Sequence, residues 1–190
     1  MKKVKKFELT NEFITNMFGT KLFRIRALVE FGDVEAGELG GYVEKESNLG
    51  HDDNAWVYGN ARVYGDAQVS GDARVYGNAR VYGNAWVYGN AWVYGNAWVY
   101  GNALVCSDED YAYAHGFGSV NRTTTFFRLK DGGVGVRCGC FYGTLAQFRD
   151  KIRETHGETK KAQEYLMLAD LMELRFEEDE NEVGNRKYVE

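Results

Sequence analysis

Asn54-Ala-Trp-Val-Tyr-Gly59, Asn60-Ala-Arg-Val-Tyr-Gly65 and Asp66-Ala-Gln-Val-Ser-Gly71 open a run of nine consecutive hexapeptides of the form (Asn/Asp)-Ala-x-Val-x-Gly, the last closing on Val105-Cys-Ser107. Alanine and valine stand two residues apart in every copy, so both point to the same face of a short strand. Glycine followed by Asn or Asp supplies residue types that accept a positive φ at a sharp corner. Each copy is therefore one strand and one corner. A strand of about four residues cannot bury its inner face alone, so the copies must stack as parallel rungs ~4.8 Å apart around a narrow Ala/Val core.

That run resembles the hexapeptide-repeat, left-handed parallel β-helix proteins. The resemblance implies left-handed winding with three hexapeptides per triangular coil, hence three coils from these nine copies. Stacking of every third copy then puts Asn60, Asn78 and Asn96 on one corner, a placement suited to a side-chain amide ladder. The alternate positions hold Trp56, Trp86, Trp92 and Trp98 with Tyr88, Tyr94 and Tyr100, and these rings are expected to project from the wall. A monomer would leave much of that aromatic surface in water. Its expected cover is a second copy or a terminal segment of the same chain, with a ligand cleft as the alternative. The resemblance implies a homo-oligomer, usually a parallel trimer.

An open parallel β-helix has raw edges, so each end needs a cap. Residues 1–35 read as the N-terminal cap, with a strand over Leu22–Leu28 that alternates Phe23, Ile25 and Ala27 with Arg24 and Arg26. Gly37-Glu-Leu-Gly-Gly-Tyr-Val43 and Asn48-Leu-Gly50 form an imperfect first coil with an insertion that breaks register, so the solenoid spans 36–107. Beyond it the style changes. Thr123–Leu129 and Val134–Cys140 are two strands joined by a turn at Asp131-Gly-Gly133. Thr144 begins a helix with a capping-box spacing to Gln147, closed by Gly157, and a second helix runs from about Glu158 to Phe176. The fold class is thus mainly β, a parallel β-helix followed by an α+β domain over 108–176 (a hairpin and two helices) and an acidic tail over 177–190.

The chain has 190 residues, no proline, 23 Lys+Arg against 28 Asp+Glu, and a net charge of −5, which argues against a surface that binds extended nucleic acid throughout. The charge is uneven. Residues 111–153 carry seven Lys+Arg against two Asp, while 177–182 reads Glu-Glu-Asp-Glu-Asn-Glu. Neither an apolar span of ~20 residues nor a signal-peptide core is evident, so no membrane association and a cytoplasmic location are expected. Cys106, Cys138 and Cys140 are expected as free thiols. Cys138 and Cys140 read as structural residues on one side of a strand, and a lone Cys-x-Cys is too little for a metal site, so neither metal nor cofactor is expected.

Leu22-Phe-Arg-Ile-Arg-Ala27, Gly37–Val43, the hexapeptide run, Thr123-Thr-Thr-Phe-Phe-Arg128 and Cys138-Gly-Cys-Phe-Tyr-Gly-Thr144 together resemble a group of bacteriophage and prophage proteins. That resemblance implies a phage accessory role in a host cytoplasm. Many hexapeptide-repeat proteins are coenzyme A-dependent acyltransferases with a catalytic histidine. The nine repeats contain no histidine; of His51, His115 and His156, His115 is the best-placed candidate and His156 suits a helix C-terminus. Arg122, Thr123, Thr124, Thr125, Arg128 and Arg137 combine guanidinium forks with hydroxyl donors, chemistry suited to phosphate. The alternative is an ordinary polar hairpin capping the solenoid. These residues point to a non-enzymatic protein that binds a small anionic, nucleotide-type ligand, with an acyltransferase and a structural or protein-interaction module as the competing classes.

Overall fold

The computed structural model describes residues 5–118 and 121–177. The acidic tail read over 177–190 lies outside the described residues except for Glu177. Three strands come first: β1 (Phe7–Thr15), β2 (Lys21–Ala27) and β3 (Leu39–Val43). Nine two-residue strands follow, one per hexapeptide: β4 Trp56–Val57, β5 Arg62–Val63, β6 Gln68–Val69, β7 Arg74–Val75, β8 Arg80–Val81, β9 Trp86–Val87, β10 Trp92–Val93, β11 Trp98–Val99 and β12 Leu104–Val105.

Pairing is parallel and joins every third hexapeptide, Arg62 with Arg80 and Arg80 with Trp98, Trp56 with Arg74 and Arg74 with Trp92, Gln68 with Trp86 and Trp86 with Leu104. The chain is a β-solenoid of four turns with three walls. The first turn is the irregular one. Tyr42 aligns with Arg62 and Leu49 with Val69, a step longer by two than the regular one that Trp56 already makes to Arg74. The insertion read from the sequence therefore adds two positions and falls between Leu49 and Trp56. Every Ala and Val of the repeat is buried, from Ala55 and Val57 to Ala103 and Val105. Corner glycines have positive φ, and at Gly71 (φ +72°) a Cβ would also stand 3.0 Å from the Gly89 nitrogen on the next turn. No other residue fits both constraints. The Asn60, Asn78 and Asn96 corner is held by backbone bonds, Asn60 N–H to Gly77 O at 3.2 Å and Asn78 N–H to Gly95 O at 2.9 Å, rather than by side-chain amides.

Alternate backbone groups of each turn bond to the following turn, as in Trp56 N to Ala73 O and Trp86 N to Ala103 O. Each end of the stack is left with N–H and C=O groups that no further turn can pair, and unpaired buried backbone groups are costly. On the wall that begins with β3, antiparallel β1 and β2 extend the sheet. On the wall that begins with β4, the buried Lys6 ammonium donates to Asp53 O, Ala55 O and Asp53 Oδ1 at 3.0, 2.8 and 2.9 Å and lies 4.8 Å from the Phe31 ring centre. At the far end all three walls meet side-chain oxygens: Trp92 N–H donates to Asp108 Oδ1 (2.7 Å), Trp98 N–H to Thr125 Oγ1 (3.0 Å) and Cys106 N–H to Asp110 Oδ2 (3.0 Å).

The residues after the solenoid form a four-stranded antiparallel sheet, β13 (Tyr111–Phe117), β14 (Arg122–Arg128), β15 (Val134–Cys138) and β16 (Phe141–Thr144), backed by α1 (Leu145–His156) and α2 (Lys160–Phe176). The sequence pattern predicts only the middle two of these strands. The outer two signal weakly: β13 alternates poorly, and β15 ends at Cys138 in a two-residue turn, Gly139-Cys140, with little polar turn character. Both helices match their reading, with Thr144 accepting from Gln147 N and Gly157 ending α1. Strand β14 belongs to two cores. Phe127 joins the solenoid core, whereas Phe126 joins the cluster of Phe148, Ile152, Tyr165 and Ala169 under the helices.

Lys6→Met removes the donor to two solenoid carbonyls and leaves Asp53 without its cation, an expected loss of about 3 kcal/mol, or about 6–12 °C in melting temperature for a chain of this size. Lys5→Met breaks only the exposed Lys5–Glu46 pair and is expected to shift stability by less than about 0.5 kcal/mol. Thermal unfolding followed by far-UV circular dichroism distinguishes the two.

Candidate functional site

A cavity of about 520 Å³ opens between the β15–β16 turn and the two helices. Its floor is apolar, formed by Phe141, Phe148 and Ile152, and its rim carries Arg122, Lys151 and His156. Arg122 starts β14 and reaches the cavity across the turn at Gly139, whose φ is +59° and where a Cβ would collide with the Arg122 guanidinium. Glycine is thus required both for the turn and for the approach of the arginine. Lys151, Thr155 and His156 lie along one side of α1, in step with Phe148 and Ile152, so the stripe that packs the helix also edges the cavity.

The His156 ring stacks on Tyr165 with centroids 6.0 Å apart. The Tyr165 hydroxyl donates to Phe117 O at 3.2 Å and accepts from the Cys138 thiol at 3.8 Å, and the thiol in turn accepts from Thr124 Oγ1 at 3.2 Å. Burial pushes the Tyr165 pKa upward, with Cys138 adding to the shift, so the phenol stays neutral. Among the residues lining the cavity there is no carboxylate. Lys151 does meet Glu154 at 2.8 Å, but both side chains are exposed and such a pair yields readily to a ligand. A second cavity of similar size, beneath Leu129 and Phe176, is lined by Asp131, Glu173 and Glu177 and by no cation. Only the first is suited to an anion.

Of the six residues read from the sequence as a phosphate site, Arg122 alone lines this cavity. Thr124 and Thr125 are buried, one bonded to Cys138 and the other capping Trp98 N–H, and Thr123 holds the exposed His115 through Nδ1 at 2.9 Å. Arg128 is buried and pairs with Asp110 at 3.3 Å, their side chains 6% and 1% exposed. Arg137 stands on the solenoid side of the sheet, 5.3 Å from the Trp98 ring centre. Alternation along the strands explains the scatter: neighbours on β14 face opposite cores. Sequence reasoning misses Lys151 and His156 as lining residues because they reach the site from the helix layer; their signal is position at the border of the α1 apolar stripe. Cys140 is exposed in the turn rather than buried on a strand beside Cys138, which corrects the structural reading of that thiol.

The aromatic positions also need one correction. Trp56 does not project into solvent; it is fully buried, edge-on to Phe7 and Phe31 of the N-terminal cap. The tyrosines stack along the axis in two ladders, Tyr58–Tyr76–Tyr94–Tyr113 and Tyr64–Tyr82–Tyr100–Tyr142, with centroids 4.4–6.5 Å apart. Trp98 is covered by Arg80 and Arg137. The rings left open are Trp86, Trp92 and Tyr94, at 43%, 44% and 40% exposure, while Tyr88 and Tyr100 are half-buried.

The repeats match the family described as the YdcK beta solenoid repeat, over residues 55–71, 67–81, 73–89, 79–95 and 87–101. This is a β-solenoid repeat protein. The match covers the regular turns and neither cap, so the cavity lies outside it. No curated protein matches the chain at a significant level. Among the described residues no helix is long and apolar enough to cross a membrane.

Two arginines of one strand are expected to behave differently. Arg128→Ala strands the buried Asp110 carboxylate and is expected to lower stability by about 3–5 kcal/mol. Arg122→Ala, at an exposed strand end, is expected to change it by less than about 0.5 kcal/mol. Urea unfolding of both variants measures the difference.

Proposed function

We propose that this chain is a non-enzymatic, homo-oligomeric binding protein that sequesters a small anionic ligand of nucleotide type in the cavity between the β15–β16 turn and the helices. The observation that carries the reading is the convergence of Arg122, Lys151 and His156 on an aromatic, carboxylate-free cavity of about 520 Å³. Guanidinium and ammonium groups suit phosphate oxygens, and Phe141, Tyr142 and Tyr165 offer ring faces to a base. In the acyltransferase reading His115 would act as base, yet it sits outside this cavity, exposed and hydrogen-bonded to Thr123. The open rings Trp86, Trp92 and Tyr94 are the surface proposed to meet another copy. An accessory role against a host nucleotide signal rests on the resemblance to phage proteins alone.

The test is native mass spectrometry of the purified protein, followed by denaturation and identification of what is released. A nucleotide at near one per subunit is expected. Arg122→Ala is expected to weaken its rebinding at least tenfold, the loss of one charge-assisted contact of about 1.5–3 kcal/mol, with the oligomer mass unchanged. An oligomer without released ligand, to which no mononucleotide binds in titration calorimetry, would overturn the reading and favour the protein-interaction module.

A further inference from the structure

We propose that the wall built on β3, β5, β8 and β11 is a second anion site, distinct from the cavity, that takes a single-stranded nucleic acid along the solenoid axis. The net charge of −5 describes the whole chain and not this face. Arg24, Tyr42, Arg62, Arg80 and Trp98 lie in register on successive strands and form one outward row. The row spans four strand spacings, about 19 Å at roughly 4.8 Å each. Arg137 continues it, its guanidinium 5.3 and 5.7 Å from the Trp98 and Tyr100 ring centres.

Arg62 and Arg80 are adjacent rungs of one sheet, so two like charges stand opposite each other, an arrangement that costs stability. Acids nearby are already engaged. Glu12 pairs with Arg24 and accepts from the Tyr42 hydroxyl, Glu44 accepts from Gly65 N–H, and Asp66 pairs with Lys45. Among the described residues, Arg62, Arg80 and Arg137 have no carboxylate within ion-pairing distance. All three act on the Tyr64 hydroxyl: burial raises its pKa to about 12, and the three guanidinium groups pull the other way. Tyr82, between Tyr64 and Tyr100 in the ladder, is likewise raised by burial and pulled down by Arg137 and Arg80. Arg62, Arg80, Arg137 and Trp98 of the row and Tyr64, Tyr82 and Tyr100 of the ladder are half-buried, not sealed, while Tyr42 is buried.

Three guanidinium groups without a carboxylate partner along a wall of Tyr and Trp rings suit a single strand: the cations track phosphates, and the outer edges of rings already stacked on one another and on Arg80 and Arg137 give bases an apolar surface without sequence preference. The two properties come from one repeat and follow one axis, which favours a linear ligand over a compact one. Of the rings in the repeat, the most open to solvent, Trp92 and Tyr94 with Trp86, belong to the other two walls. Assembly through those walls leaves this one accessible.

The experiment is fluorescence anisotropy of the full-length protein with a labelled mixed-sequence single-stranded 10-mer across a salt series. Three phosphate contacts predict a slope of log K against log[salt] near −2, at about −0.7 per contact for single strands. Arg62→Gln/Arg80→Gln is expected to weaken binding at least tenfold and bring the slope to about −0.7, while its melting temperature stays the same or rises because the like-charge contact is gone. Lys160→Gln/Lys161→Gln, an equal charge change on α2, is expected to leave affinity within twofold. Absence of binding at 50 mM salt, an affinity unmoved by the arginine pair, or equal affinity for inorganic polyphosphate of matched charge would overturn the proposal. Arg122→Ala separates it from the cavity reading: strand binding is expected to persist when mononucleotide binding is lost, and the reverse pattern would sink the wall site while leaving the cavity standing.

Discussion

A stack of parallel turns leaves a row of unpaired backbone N–H and C=O groups at each end, and the rest of the molecule follows from the need to satisfy them. The repeat cannot do this itself, so each end is closed by residues outside it. At the first turn the Lys6 ammonium donates to Asp53 O and Ala55 O, and a pair of antiparallel strands extends one wall. At the last turn Asp108, Asp110 and Thr125 accept backbone N–H groups, and the Tyr111 hydroxyl donates to Trp92 O. Burial alone would drive the Lys6 pKa down, and Asp53 beside it opposes that shift. Asp53 also accepts from Ala55 N and Gly71 N, so one carboxylate ties the plug to two successive turns.

The oxygen-bearing end has a further consequence. Asp110 accepts from Cys106 N, Ser107 N and the Arg128 guanidinium, and Arg128 also reaches Phe176 O at the end of α2. One ion pair therefore joins the last turn, the cap sheet and the second helix. Strand alternation turns half of β14 toward the solenoid and half toward the helices, with Arg128 engaged by this pair and Arg122, at the strand's other end, lining the cavity. The cap is thus where an enclosed cavity is built, whereas the repeat itself offers shallow, periodic walls.

The repeat is legible in the sequence because nine copies state the same instruction, and any one of them places Ala and Val inward. One-off contacts are not. Nothing local to Lys6 says that it will plug carbonyls 47 and 49 residues away. Alternation places Trp56 on the outer face correctly, but which segment lies over that face is a tertiary matter, and Phe7 and Phe31 cover it. The same limit separates Arg122, readable as a guanidinium beside threonine hydroxyls, from Lys151 and His156, whose approach depends on how α1 lies against β16. Runs of Thr and Arg on one strand suggest a single patch, yet a two-residue period divides them between opposite faces.

In-register stacking of every third copy aligns the outward positions as well as the core, so an outward residue that recurs three copies on stands against its own image. Aromatic residues profit from this, since Tyr64, Tyr82 and Tyr100 become a ladder that shields itself. Charges do not, and the three walls treat them differently. On one wall Arg74 alternates with Trp56 and Trp92 and is paired with Asp33 at 2.6 Å. Another carries Gln68, Trp86 and Leu104 and no charge in its row. Only the third stacks arginine on arginine, at Arg62 and Arg80. A neutral residue at either position would serve the core equally well, because the side chain points away from it. The repulsion retained there is not required by the fold, and an anion laid along the wall is the partner that relieves it.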